Sequence, residues 1–176
     1  DPELVQNLFV EYEFDYVYHL AAINGTASFY SNPNHVMYNN LMADFAVFKF
    51  VEGNPNTRLV YASSSEVVAE DPEQPVPEKV NITINDIHNA RWSYRLAKVC
   101  SENYLTNSNL PWLIVRYFNV YGKYMHLRSD RANAVYKWRQ QARKQGKITV
   151  WEGAEHIKRD WTYVGDVYID VDPPVA

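Results

Sequence analysis

One cysteine, six glycines and no long apolar run set the first limits on this sequence of 176 residues. Cys100 has no second cysteine to pair with, which excludes an internal disulfide and fits a reducing cytoplasm. Its place in the helix after Lys98 predicts a small, buried apolar residue. No signal peptide and no apolar run of about 18 residues occurs, so a soluble cytoplasmic protein is the expectation. The glycines are Gly25, Gly53, Gly122, Gly146, Gly153 and Gly165, and no two stand three apart. The Gly-x-x-Gly-x-x-Gly loop that cradles a dinucleotide pyrophosphate is therefore absent.

Positive charge is also scarce: 17 Lys and Arg against 21 Asp and Glu leave a formal charge of -4 and no basic stripe, which disfavours a nucleic-acid surface. The richest basic segment, residues 137–147, carries Lys137, Trp138, Arg139, Arg143 and Lys144 and reads as the solvated face of a helix. His19, His35, His88, His126 and His156 are scattered without ligand spacing, so no metal site is expected, and His19 reads as a satisfied core residue. What the sequence does have is 47% hydrophobic and 15% aromatic residues, enough for a packed domain without repeats or low complexity.

Residues 16–20 read as a short buried strand that runs into Ala21 and Ala22, where small side chains allow close approach. From Asn34, taken as N-cap, apolar residues at Val36, Leu41, Phe45, Phe48 and Val51 predict a helix ended by Gly53. Residues 58–62 form the next strand and deliver Ser63-Ser64-Ser65 at its carboxyl end. Pro72, Pro75 and Pro77 mark a loop. A helix running to about Thr106 follows, and then a strand over residues 112–117 that ends at Phe118-Asn119. Alternating strands and helices predict a parallel α/β sheet, in which ligands bind beyond the carboxyl ends of the strands. Three strand ends, at Ala21-Ala22, Ser63-Ser64-Ser65 and Phe118-Asn119, are expected to meet at one crevice. Beyond them come a helix around residues 133–144, a strand over residues 148–151 and the segment 159–164.

Tyr94 and Lys98 stand four apart on the second of these helices, so a phenol and an ammonium share one helix face. A free tyrosine titrates near pH ~10, and its use as a base near neutrality requires the anion to be favoured by a nearby cation. With 14 tyrosines and lysine at roughly one position in twenty, about half a chance match to this spacing is expected, so context must carry the argument.

That context is an ordered set of motifs. His19-Leu-Ala-Ala22, Tyr61-Ala-Ser-Ser-Ser-Glu-Val67, Tyr94-x-x-x-Lys98, Arg116-Tyr-Phe-Asn-Val-Tyr-Gly122 and Arg159-Asp-Trp-Thr-Tyr-Val164 resemble successive motifs of the extended short-chain dehydrogenase/reductases. The branch they resemble is the NAD-dependent nucleotide-sugar epimerases and dehydratases, over residues 15–167. The resemblance implies a partial Rossmann-like parallel sheet with flanking helices over residues 1–122, and part of a small substrate-binding region over residues 123–176. By it, Tyr94 takes the proton from a sugar hydroxyl while hydride passes to NAD. Lys98 holds the nicotinamide ribose and lowers the pKa of Tyr94, and Ser64 hydrogen-bonds the reacting oxygen of the substrate. Ala21, Ala22, Ser63 and Tyr117 join Tyr94 and Lys98 along the cofactor. Asn119 contacts the phosphates of the substrate, with a turn residue as the alternative, and Arg159 lies on the substrate side, with a surface ion pair as the alternative. Asn40 matches a family asparagine near the site, or is a helix-surface amide.

Ser65-Glu66 stands where family dehydratases place Asp-Glu, which disfavours a 4,6-dehydratase and leaves Glu66 as the remaining acid-base group. The resemblance implies a nucleotide-sugar epimerase first, then a decarboxylase or dehydratase, then a non-catalytic protein that does not hold NAD. A simple short-chain reductase is disfavoured by Arg116-Tyr-Phe-Asn119 and Arg159-Asp160. A homodimer with the Tyr94 helix in its interface is implied too. The sequence departs from the family at the missing glycine loop, at Val68-Ala69 in place of Tyr-Gly, and at a short C-terminal end. The expectation is a piece of a longer protein, or one completed by another chain, with an unpaired sheet edge.

Overall fold

A computed structural model describes residues 12–68, 81–84, 86–125 and 133–170, with residues 7, 76, 77 and 79. Ala69, Pro72, Pro75, His126 and residues 171–176 lie outside the described residues. The chain forms two compact units, Asp1–Tyr117 and Phe118–Ala176. No helix among the described residues is long and apolar enough to cross a membrane.

The first unit holds β1 (Tyr16–His19), α1 (Thr26–Ser31), α2 (Pro33–Glu52), β2 (Arg58–Ser64), α3 (Trp92–Thr106) and β3 (Trp112–Tyr117), with a 3-10 turn at Ser65–Val68. The strands pair in parallel in the order β1-β2-β3, with His19 opposite Tyr61 and Ser64 opposite Tyr117. β2 lies between two neighbours and is almost wholly buried. β1 was expected to be buried but is largely exposed at Tyr16 and Tyr18, because among the described residues it pairs on one side only.

Phe48 and Val51 of α2, Leu105 of α3, and Leu59 and Tyr61 of β2 form the core, with Val17, Trp112 and Ile114 packed against it. Leu59 and Tyr61 are two apart on one strand and so face the same side of the sheet. Phe48 stacks on Tyr104 and meets Tyr61 edge-on at 5.5 Å between centroids. Each such fully buried side chain contributes about 1.5–3 kcal/mol of transfer free energy.

Two further local expectations need correction. α2 starts at Pro33 rather than after Asn34: proline has no N–H to leave unsatisfied in the first turn, and Asn32 takes the cap position without a side-chain bond. The helix does end at Gly53, which stays right-handed and donates to Lys49 O. Cys100 is exposed, because α3 turns Ala97, Lys98, Ser101 and Leu105 inward and Cys100 falls on the other face.

The second unit pairs β4 (Asn119–Tyr121) with β5 (Trp161–Tyr163) in parallel and carries α4 (Ala134–Gln145) and α5 (Val164–Asp170). Asn133 caps α4 by accepting from Tyr136 N and donates its amide to Val120 O, which ties the helix to β4. Gly146 ends α4 at φ 68°. Lys137, Arg139, Arg143 and Lys144 are exposed on α4, as a solvated helix face requires. The strand expected over residues 148–151 does not form. Thr149 N donates to the Gln141 side chain, while Ile148, Val150 and Trp151 are exposed. A strand-forming composition has no ladder without a partner.

Candidate active site

β2 carries Ser64 to the carboxyl end of the sheet, and α3 presents Tyr94 and Lys98 on successive turns. Tyr94 is 5% exposed and Lys98 2% exposed. The Ser64 hydroxyl lies near enough to Tyr94 to lower its phenol pKa, and the Tyr94 ring stacks on Phe29 of α1 at 5.0 Å. Glu66 N donates to Ser64 Oγ, which fixes the turn after β2. The structure therefore brings Ser64, Tyr94 and Lys98 together, as the helix spacing and strand order predict.

The role expected of Lys98 toward Tyr94 takes a different form. Lys98 Nζ donates to the Tyr61 hydroxyl at 3.0 Å and to Ala62 O at 2.8 Å, and stands 6.0 Å from the Tyr94 ring centroid. Burial pushes the Tyr94 phenol above its ordinary value; the Ser64 hydroxyl pulls it down, and the charges of Glu66 and Asp44 push it further up. The expected lowering of Tyr94 by Lys98 is thus not present in this arrangement, because the ammonium is turned toward β2. Burial pulls Lys98 itself below its ordinary range, against the carboxylates of Asp44 and Glu102, which draw it back up.

Behind Lys98 lies a polar network that hydrophobic patterning misses. Asp44 of α2 is 0% exposed and accepts from His19 Nε2 at 2.7 Å, from the Tyr61 hydroxyl at 2.6 Å and from Ser101 Oγ at 2.7 Å. Burial alone would raise its carboxyl. The bonds from His19, Ser101 and Tyr61, together with the charge on Lys98, outweigh burial and hold it below the usual carboxylate value. His19 is buried and satisfied, as read from the sequence. Burial and Asp44 together push the Tyr61 phenol far above its ordinary value. The available signal was Asn40 and Asp44, two polar residues four apart in line with Val36, Phe48 and Val51, all buried on α2.

Asn40 is not a surface amide: it accepts from Ile23 N and donates to Ile23 O, and so clamps the loop after β1. That loop leaves Ala21 and Ala22 exposed at the end of the strand. Ser63 faces away from Ser64 and donates to Glu102 Oε1 at 2.5 Å, so its hydroxyl is engaged in the core rather than offered along the strand end. Arg116 Nη2 donates to Glu102 Oε2 at 2.6 Å and completes a cluster that joins α3, β2 and β3. Glu66 is partly exposed and paired with Arg91 Nη2 at 2.6 Å. Tyr117 ends β3 opposite Ser64, and burial raises its phenol, with a smaller push from Tyr18.

Asn119 and Arg159 belong to the second unit. Asn119 opens β4 and donates its amide to Asp160 O, a bond that supports the pairing with β5. Arg159 is exposed, with Nη1 donating to Lys158 O.

A profile of the NAD dependent epimerase/dehydratase family matches residues 1–168. The chain is 28% identical over 177 aligned residues to UDP-glucuronate 4-epimerase 4 of Arabidopsis thaliana, covering 95% of this chain and 38% of that protein. It is 26% identical to UDP-glucuronic acid decarboxylase 1 of Xenopus tropicalis, covering 94% of this chain and 38% of that protein. Among solved structures, the UDP-N-acetylglucosamine 4-epimerase of Methanobrevibacter ruminantium, in complex with UDP-N-acetylmuramic acid, superposes with a TM-score of 0.74 at 29% identity. That match covers 87% of this chain and 48% of the solved one. The chain thus spans less than half the length of these relatives.

Proposed function

Because the chain belongs to the NAD dependent epimerase/dehydratase family, we propose that its first unit carries the acid-base centre of an NAD-dependent nucleotide-sugar epimerase. The observation that carries this reading is the buried Ser64, Tyr94 and Lys98 cluster at the end of β2, with the Ser64 hydroxyl drawing the Tyr94 phenol down and Lys98 Nζ 6.0 Å from the Tyr94 ring centroid. The residues present fit the nicotinamide-ribose end of a dinucleotide. Lys98 donates to Tyr61 and Ala62 and, as an ammonium, keeps one further N–H for a ribose hydroxyl. Ala21 and Ala22, exposed just past the end of β1, present only methyl groups, so a flat ring system meets no bulk there.

NAD held at Lys98 and at the Ala21-Ala22 end of β1 would supply reversible hydride acceptance at one sugar carbon. Tyr94 removes the proton from the hydroxyl on that carbon, and Ser64 hydrogen-bonds the same oxygen and fixes its direction. Lys98 supplies the cation that favours the Tyr94 phenolate once its ammonium faces the ring. Glu66, paired with Arg91 Nη2 at 2.6 Å, is the second acid-base group at the rim. We take C4 of a UDP-linked sugar as the reacting centre, the position named for the Arabidopsis and Methanobrevibacter relatives. Decarboxylation of a UDP-linked uronic acid is the second reading, favoured by Ser65-Glu66 and by the Xenopus relative. Asn119 and Arg159 are proposed on the substrate side, and a homodimer as the assembled state, which sedimentation would check.

The test is to denature the purified protein, identify any released dinucleotide by absorbance and mass, and repeat this after incubation with added NAD. Stoichiometric NAD in both wild type and Tyr94→Phe, with turnover of UDP-glucuronate only in the wild type, is the expected result. Affinity for a UDP sugar with no NAD, released or taken up, would replace the enzyme reading with that of a binding protein.

A further inference from the structure

Lys98 is buried with its ammonium bonded to Tyr61 and Ala62 and 6.0 Å from the Tyr94 ring centroid, and the groups that hold it there have no part in the chemistry proposed above. Its Nζ donates to the Tyr61 hydroxyl at 3.0 Å, and that hydroxyl donates in turn to Asp44 Oδ2 at 2.6 Å. The direction of these bonds is fixed by chemistry: an ionised carboxylate only accepts, so Tyr61 must point its proton at Asp44 and its lone pair at Lys98. We propose that Asp44 is a positioning residue for the Tyr94 and Lys98 pair: it orients the Tyr61 hydroxyl to receive the Lys98 ammonium and supplies the buried negative charge that this ammonium requires.

The burial on both sides makes the arrangement consequential. Lys98 is 2% exposed and Asp44 0% exposed, so neither charge has water to fall back on, and an isolated ammonium in such a place would lose its proton. The groups facing Asp44 come from every element packed on it: His19 from β1, Tyr61 from β2, and Ser101 with Lys98 from α3. Facing Lys98 are Tyr61, the Ala62 carbonyl, the Tyr94 ring at 6.0 Å, and the charges of Asp44 and Glu102. Among the described residues Asp44 is the carboxylate bonded to the Tyr61 hydroxyl, so its charge reaches the ammonium both directly and through that hydroxyl. The inference rests on the reading of Tyr94 and Lys98 as the reacting pair only for its catalytic consequence. The placement and charge of Lys98 are testable without turnover.

The experiment labels lysine Cε with 13C in the whole chain, assigns Lys98 by its loss in Lys98→Arg, and follows its shift with pH in wild type, Asp44→Asn, Tyr61→Phe and Ser101→Ala. Asp44→Asn keeps the shape and removes the charge, and is expected to move the Lys98 titration to lower pH. Tyr61→Phe keeps the ring in the core and removes the relay, and is expected to move it in the same direction by less. Ser101→Ala removes a bond to Asp44 without removing the charge and is expected to leave the titration in place. In turnover, Asp44→Asn is expected to lower kcat about tenfold or more, the equivalent of one pH unit in the Lys98 titration, with KM for the nucleotide sugar little changed. An unmoved Lys98 titration in folded Asp44→Asn overturns the proposal. If that variant fails to fold, an unmoved titration in Tyr61→Phe overturns it instead. Full turnover by Tyr94→Phe would defeat the proposed function while leaving the Lys98 titration as a valid test of Asp44.

Discussion

Glu102 ties the site to the sheet, and the consequence of cutting that tie follows from its bonds. Its carboxylate is almost fully buried and accepts from Ser63 Oγ at 2.5 Å, from Arg116 Nη2 at 2.6 Å and from Arg116 Nε at 3.0 Å. It therefore joins α3, which carries Tyr94 and Lys98, to β2, which carries Ser64, and to β3. Hydrogen bonds to a charged partner contribute about 1.5–3 kcal/mol each, and removing one member of a buried pair costs about 3–5 kcal/mol. The Arg116 side chain is 26% exposed, so water recovers part of the loss. Glu102→Gln is then expected to destabilise by about 2–3 kcal/mol, and Arg116→Met by a similar amount. Because both remove the same bonds, the double variant should fall short of the sum by about 1–3 kcal/mol. Urea unfolding of the four proteins, followed by circular dichroism, measures this directly. Energies that add to within about 0.5 kcal/mol would refute the claim that this cluster locks helix to sheet.

Other consequences are as specific. In the second unit, Gly122 sits at φ 144°, and a Cβ there would meet Val164 Cγ1 at 2.5 Å, so Gly122→Ala should loosen the pairing of β4 and β5, seen as faster amide exchange at Val120 and Thr162. Protection unchanged from wild type would contradict the packing described. Asp44 has a folded pKa below its unfolded value, so its contribution is complete above about pH 4 and is lost as pH falls through the folded value. The stability gap between wild type and Asp44→Asn should therefore close on acidification, and a gap that widens would reverse the sign. Tyr94 is held above its ordinary value in the free protein, so its share of stability is lost as pH rises past about 10. The ultraviolet difference between wild type and Tyr94→Phe should show a late-titrating phenol, and an early one would mean that Lys98 already faces the ring.

The parallel sheet was legible because strand-length apolar runs alternate with helix-length patterns, and the same reading put Ser64 at a strand's carboxyl end, while the order β1-β2-β3 came from the structure. The union of Ser64, Tyr94 and Lys98 follows from that order. The network behind them was hidden for a physical reason. Reading α2 by its apolar residues selects Leu41 and Phe45, which are only partly buried, and passes over Asn40 and Asp44, which occupy the inward stripe. A buried carboxylate is stable there only because His19, Tyr61 and Ser101 arrive from three other elements, and no local pattern records that meeting. Cys100 failed for a simpler cause: one residue of helix rotation separates an inward position from an outward one. Residues 148–151 have strand composition and no ladder partner, so propensity alone misled.

The central claim is that Tyr94, Ser64 and Lys98 serve a transient oxidation at one sugar carbon. The most direct test is to supply NAD and UDP-glucuronate in deuterated water and examine the product by proton NMR for wild type and Tyr94→Phe. The account predicts a C4 epimer that keeps its original hydrogen at C4, formed by wild type and not by the variant. Solvent deuterium at C4, or equal conversion by both proteins, would contradict it.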